Sequence, residues 1–184
     1  MPSFDLIPHP DFPSVAIERV SVMVDRWPDG RLGVGYVVSG AIDEVIWPAH
    51  DDSIFVDELW KHTCFEGFVL EEEYAYIEFN LAPSTQWAAY RFDSYRTGMQ
   101  RAQEVATSGL TFMADPATWR AGHMRGFVSF PHLIDSPLWR LGLSAIIEAK
   151  DGTKSYWALA HAAGPPDFHN ADCFTARLAA PERP

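Results

Sequence analysis

The feature that most constrains the fold of this chain is a recurrence of short runs in which apolar and polar residues alternate. Proline, glycine and acidic turn residues break these runs roughly every eight to twelve positions. Residues 17–26 set Ile17, Arg19, Ser21, Met23 and Asp25 against Glu18, Val20, Val22 and Val24. That period of two belongs to an extended strand with one buried face. Trp27-Pro28-Asp29-Gly30 then supplies turn chemistry ahead of a second run over 31–39, so the pair reads as a hairpin.

The same reading predicts strands over 41–47, 64–70, 74–81, 87–93, 121–130, 139–150 and 155–161. Glu71-Glu72-Glu73 and Ala82-Pro83-Ser84-Thr85 connect the central three as a meander. Helix is plausible only over 98–111, between Gly98 and Gly109, and as a turn at Phe130-Pro131-His132-Leu133. The expectation is an all-β antiparallel sandwich, jelly-roll-like, with one or two short helices, formed by a single domain over 1–184. Pro2, Pro8, Pro10 and Pro13 make 1–15 an extended arm expected to cross the surface.

Composition narrows the function. Hydrophobic residues are 47% and aromatics 14% of the chain, too many for a disordered segment and enough for both a core and ligand platforms. A net charge of −11 repels phosphate backbones and anionic membrane surfaces, so neither nucleic acid nor membrane is an expected partner. No spanning apolar run and no secretory signal pattern is present, which points to a cytoplasmic location. Cys64 and Cys173 lack the spacing of a zinc or redox motif and are expected to be free.

Between Leu59 and Arg96 the pattern conflicts with itself. Strands rich in Phe, Tyr, Val and Ile are stabilised by burial, yet Glu66, Glu78, Asn80 and Arg91 lie inside them. Alternation puts Tyr74, Tyr76, Glu78 and Asn80 on one face, with Ala75, Ile77, Phe79 and Leu81 on the other. If neighbouring strands pair, Glu66 lies beside Glu78 or Asn80, and Arg91 is the expected neutraliser of the two carboxylates. Such a cluster suits a polar, ring-shaped ligand, and it equally suits a buried Glu–Arg network that ties the sheet together.

LWKHTCFEGFV, YIEFNLAPSTQWAAYRFDSYR and FHNADCFTARL together resemble the DOMON-like, family 9 carbohydrate-binding-module-like domains of bacterial proteins. Trp60 and Glu66 match the first recurring pattern of that group. Tyr76, Glu78, Phe79, Asn80 and Pro83 match the second, and Phe168, His169, Phe174 and Leu178 the third. The resemblance implies a β-sandwich in which two tryptophans enclose a terminal sugar while charged and amide side chains bond its hydroxyls. Trp60 would then be one platform, with Glu66 and Asn80 as hydroxyl partners. Phe168 and His169 stand where the second tryptophan is expected, and Cys64 replaces a usually acidic position.

The leading expectation is a non-catalytic domain that binds a carbohydrate through Trp60, His62, Glu66, Tyr76, Glu78, Asn80, Arg91, Phe168 and His169. Alternatives are acid–base catalysis by Glu66 and Glu78, or a haem-binding redox partner using Met and His ligands, as related DOMON domains do. His62, His161 and His169 would converge if the two bracketing segments meet. Asp51, Asp52, Asp57 and Glu58 are candidate Ca²⁺ ligands, although a solvated acidic loop explains them as well.

Overall fold

In the first hairpin, alternation becomes burial. Val20, Val22 and Val24 in β2 (Ile17–Arg26) and Leu32, Val34, Tyr36 and Val38 in β3 (Arg31–Gly40) all point inward, and Gly30 closes the turn at φ 82°. A bulge between Ile17 and Arg19 shifts the parity by one, so Ile17 joins the valines in the core. The computed structural model describes residues 1–71, 73–115 and 117–182, so Glu72 of the acidic connection lies outside the described residues.

Ten further strands complete an all-β, antiparallel sandwich. They are β1 (Ser3–Pro8), β4 (Cys64–Leu70), β5 (Tyr76–Leu81), β6 (Trp87–Phe92), β7 (Gln100–Arg101), β8 (Ala106–Ala114), β9 (Ala121–Ser129), β10 (Leu138–Glu148), β11 (Lys154–Ala158) and β12 (Ala176–Ala179). One layer runs β8-β9-β3-β2-β1, and the other runs β7-β6-β5-β4-β10-β11. β12 shares an edge of β10 with β11, pairing with Leu138 to Leu141 while β11 pairs with Ser144 to Glu148.

The segment expected as a surface arm instead joins the layers. Ser3 to Leu6 pair with β2, while Ile7 and Pro8 pair with Ala158 and Trp157 of β11. Two other expectations are corrected. Residues 41–47 form a 3-10 turn over Ile42–Glu44 and a single bridge at Val45, because Ile42 turns into the core and its carbonyl accepts the Trp47 indole N–H at 2.8 Å. Residues 98–111 are not helical. They supply β7 and most of β8, with Gly98 and Gly109 at φ 73° and 61° and a bulge between Ser108 and Thr111. Four 3-10 turns, Pro131–Leu133 among them, are the helical elements among the described residues.

Between the layers lie Trp139, Phe65, Phe79, Phe130, Tyr36 and the aliphatic side chains around them, each worth roughly 1.5–3 kcal/mol of burial. Tyr36 spans the sandwich and donates from its hydroxyl to the carbonyl of Glu66 at 2.6 Å. In the second layer the outer face is covered too. Phe168, Cys173 and Phe174 from the C-terminal segment, with Phe55, Leu59 and Trp60 from the β3–β4 connection, pack onto Phe68, Tyr76, Ala88, Tyr90 and Phe92. Strands buried on both faces have near-continuous apolar sequences, and polar residues set in them are enclosed.

Candidate functional site

Register fixes the floor of a cleft on this covered outer face. Glu66 of β4 lies opposite Asn80 of β5 on one side and Ser144 of β10 on the other, and Glu78 is the next outward residue of β5. Glu66 is 3% exposed and Glu78 4%. Asn80, fully buried, donates from Nδ2 to Glu78 Oε1 at 2.7 Å, and its Oδ1 lies 3.5 Å from Cys64 Sγ. Glu66 Oε1 and Ser144 Oγ are buried without a hydrogen-bond partner among the described residues. An orphaned buried carboxyl oxygen costs on the order of 1–3 kcal/mol or more, so its retention at the base of an open cleft is informative.

Two loops bring the walls. After Glu58, in left-handed conformation at φ 65°, the 3-10 turn Leu59–Lys61 presents Trp60, whose ring meets the Tyr90 ring edge-on at 5.6 Å. Tyr90 is itself fixed by donating to Asp57 Oδ1 at 2.7 Å. From the opposite end of the chain come Pro166, Phe168 and His169. Tyr76 Oη is 2.8 Å from His169 Nδ1, and His169 Nε2 lies 3.7 Å from Glu78 Oε2. Arg96, in the turn after β6, pairs with Asp167 at 2.9 Å, and Tyr95 donates to the other oxygen of Asp167 at 2.8 Å. This tie clamps the β6–β7 turn to the C-terminal loop.

The resulting cleft is about 310 Å³ and is lined by Trp60, Glu66, Glu78, Phe92, Arg96, Met99, Ile146, Tyr156, Pro166, Phe168 and His169. That size lies at the lower end for small-molecule sites. Burial drives its electrostatics. Desolvation, reinforced by Glu78, raises the Glu66 carboxyl well above its ordinary range, and desolvation brings Glu78 up to about 7 against the opposing pull of Asn80 and Arg96. Desolvation and the Arg96 charge lower His169 to about 4. The Cys64 thiol is pushed up by burial and by both glutamates.

Of the residues expected from sequence, Trp60, Glu66, Glu78, Phe168 and His169 line the cleft. Tyr76 and Asn80 stand behind it, orienting His169 and Glu78. Two lie elsewhere. Arg91 pairs with Ile77 in register and is on the opposite face, where it binds Glu71 and Glu104, so it does not neutralise the glutamates. His62 is at the exposed end of the sheet with Nδ1 2.8 Å from Glu148. His62, His161 and His169 have separate partners: Glu148, the Ile7 carbonyl and Tyr76. The loop acids are likewise divided, Asp51 to Gln86, Asp57 to Tyr90 and Glu58 to Lys61. Among the described residues no three His, Cys, Asp or Glu side chains are grouped so as to hold a metal ion.

Arg96, Asp167, Met99 and Tyr156 were not legible as site residues. Arg96 and Met99 sit in an irregular turn where periodicity carries no signal. Tyr156 stands on a strand whose partner face could be known only from the long-range register.

No protein-family model matches this chain, and no curated protein matches it in sequence. Solved structures do match in shape. A candidate carbohydrate-binding protein of Bacteroides uniformis superposes with a TM-score of 0.62 at 15% identity, covering 97% of this chain and 86% of that one. A family 9 carbohydrate-binding module of Caldicellulosiruptor kristjanssonii, in complex with glucose, superposes with a TM-score of 0.56 at 9% identity, covering 90% and 78%. The chain has the family 9 carbohydrate-binding-module fold. At such identities the likeness is one of architecture, and the residues of the cleft must carry any functional argument.

Proposed function

We propose that this domain binds a carbohydrate in the cleft between Trp60 and the C-terminal loop, without transforming it. The observation that carries the reading is Glu66, which lines a cleft walled by aromatic rings and whose buried Oε1 has no hydrogen-bond partner among the described residues. Sugars present hydroxyl donors around a ring whose C–H faces stack on aromatic side chains, so this pairing of surfaces suits them. The fold shared with a glucose-bound family 9 module supports the same reading.

Burial raises both Glu66 and Glu78, and acid–base catalysis by this pair is the reading from which binding must be separated. A glycan array, followed by a reducing-sugar assay on each captured glycan, tests the proposal. Capture without hydrolysis is expected; hydrolysis, or no capture at all, would overturn it.

A further inference from the structure

The charges around this cleft do not balance. Glu66, Glu78 and Asp167 bring three carboxyls to it or its rim, and Arg96 is the one basic Lys or Arg side chain lining it among the described residues. Arg96 is already paired with Asp167 at 2.9 Å. His169, lowered to about 4 by burial and by Arg96, supplies no charge near neutral pH. Ionising both glutamates therefore sets two negative charges in a desolvated enclosure against one cation, Arg96, which Asp167 already engages, and like charges at that depth are strongly disfavoured.

Geometry indicates what would satisfy them. Glu66 Oε1 has no donor among the described residues, nor has the hydroxyl opposite it in register, Ser144 Oγ, beneath the same face of the sheet. Glu66 and Glu78 share the cleft with the rings of Trp60, Phe92, Tyr156 and Phe168. Neutral hydroxyls can donate to a carboxylate, yet they leave the mutual repulsion of the pair in place. An ammonium group supplies N–H donors to both glutamates, cancels their repulsion and is attracted by aromatic faces.

Resting on the carbohydrate reading above, we infer that the sugar taken by this cleft is an amino sugar with a free, positively charged amine seated against Glu66 and Glu78. The groups facing that pair are Cys64, Tyr76, Tyr90, His169 and Arg96, with Tyr36 beneath Glu66. Burial raises the thiol and all three phenols, so between pH 5 and 8 the pair itself is what responds to the ligand. Seating the ammonium drives protons off the glutamates, and binding releases protons to the buffer.

Calorimetric titration with D-glucosamine, D-galactosamine and D-mannosamine, each compared with its parent hexose and its N-acetyl derivative, tests the inference. N-acetylation keeps an N–H and removes the charge. At least one amine is expected to bind roughly tenfold more tightly than both counterparts, the gain of charge-assisted over neutral hydrogen bonds. Its binding should release protons, read by repeating the titration in buffers of unequal ionisation enthalpy. Glu66→Gln should reduce the preference to about threefold or less, with thermal unfolding confirming that the variant is folded. A parent hexose or N-acetyl derivative that binds as tightly as its amine would overturn the inference and leave the carbohydrate reading intact. Failure of every probe to bind would overturn both. An undiminished preference in both Glu66→Gln and Glu78→Gln would remove the amine from this pair.

Discussion

Tyr76 and His169, 93 positions apart, are joined side chain to side chain by a 2.8 Å hydrogen bond that docks the C-terminal loop onto β5. The backbone N–H of Arg96 donates to the same phenol oxygen at 3.1 Å. With one lone pair of that oxygen taken by the Arg96 N–H, the arrangement that uses the phenol's own proton sends it to His169 Nδ1 and puts the hydrogen of the neutral imidazole on Nε2, toward Glu78. One hydroxyl thus holds both the β6–β7 turn and the C-terminal loop in place. Histidine ¹⁵N shifts should show an unprotonated Nδ1 and a protonated Nε2 on His169 throughout pH 5–8. Tyr76→Phe should destabilise the fold by about 1–2 kcal/mol in chemical denaturation, because Nδ1 and the Arg96 N–H lose their partner.

Trp60 is only partly buried at the margin of the outer cluster, in a T-shaped contact with Tyr90, so its removal acts on the cleft more than on the core. Trp60→Ala is expected to weaken sugar binding by about 1–3 kcal/mol in calorimetry, while moving the thermal midpoint only slightly.

Glu78 and His169 make opposite contributions to acid stability. Glu78 is raised from 4.5 to about 7, so the folded state holds the extra proton and stability falls as pH rises through that window. His169 is lowered from 6.5 to about 4, so the unfolded state holds the extra proton and stability falls as pH drops through that window. Where the windows overlap, the two slopes cancel. Glu78→Gln should remove the first contribution and also ease the rise that Glu78 imposes on Glu66, making the protein more stable than wild type at pH 8 by on the order of 3 kcal/mol and near equal at pH 4. Urea denaturation of both proteins at the two pH values checks this.

Arg91 provides the complementary control. It belongs to a network with Glu71 and Glu104 on the other side of the sheet, and His132 meets the same Glu71 at 2.6 Å. Arg91→Ala should cost about 1 kcal/mol of stability and leave ligand affinity within twofold of wild type.

Gly67 separates Glu66 from Phe68 and carries no side chain because the Phe79 ring lies over it. A Cβ there would sit 2.1 Å from Phe79 Cζ, and that fully buried ring has little room to yield. Gly67→Ala is expected to destabilise the domain by about 1–3 kcal/mol, measured by thermal unfolding.

Alternation in the sequence made the outer face of β4 and β5 legible, since Glu66, Tyr76, Glu78 and Asn80 could be sorted from Phe65, Ile77 and Phe79 without a structure. It failed for Arg91 through the pairing of Leu81 with Trp87, which puts Trp87, Ala89 and Arg91 on the face of Ile77 and Phe79. The helix expected over 98–111 failed because pairing of β8 with β9 outweighs a weak local preference. Arg96 and Asp167 stayed hidden because their roles arise from two loops meeting in space. The N-terminal arm stayed hidden because its prolines mark extended backbone whether or not a sheet edge is waiting for it.

The central claim is that the cleft under Trp60 is where a sugar docks, and mapping of ¹H–¹⁵N and methyl resonances during titration with a captured glycan tests it most directly. The Trp60 indole N–H, the His169 ring and the Met99 methyl should shift together and saturate, while the exposed Trp27 and Trp119 indoles stay still. Shifts confined instead to Trp27, Phe127 and their neighbours, on the outer face of the other layer, would contradict it.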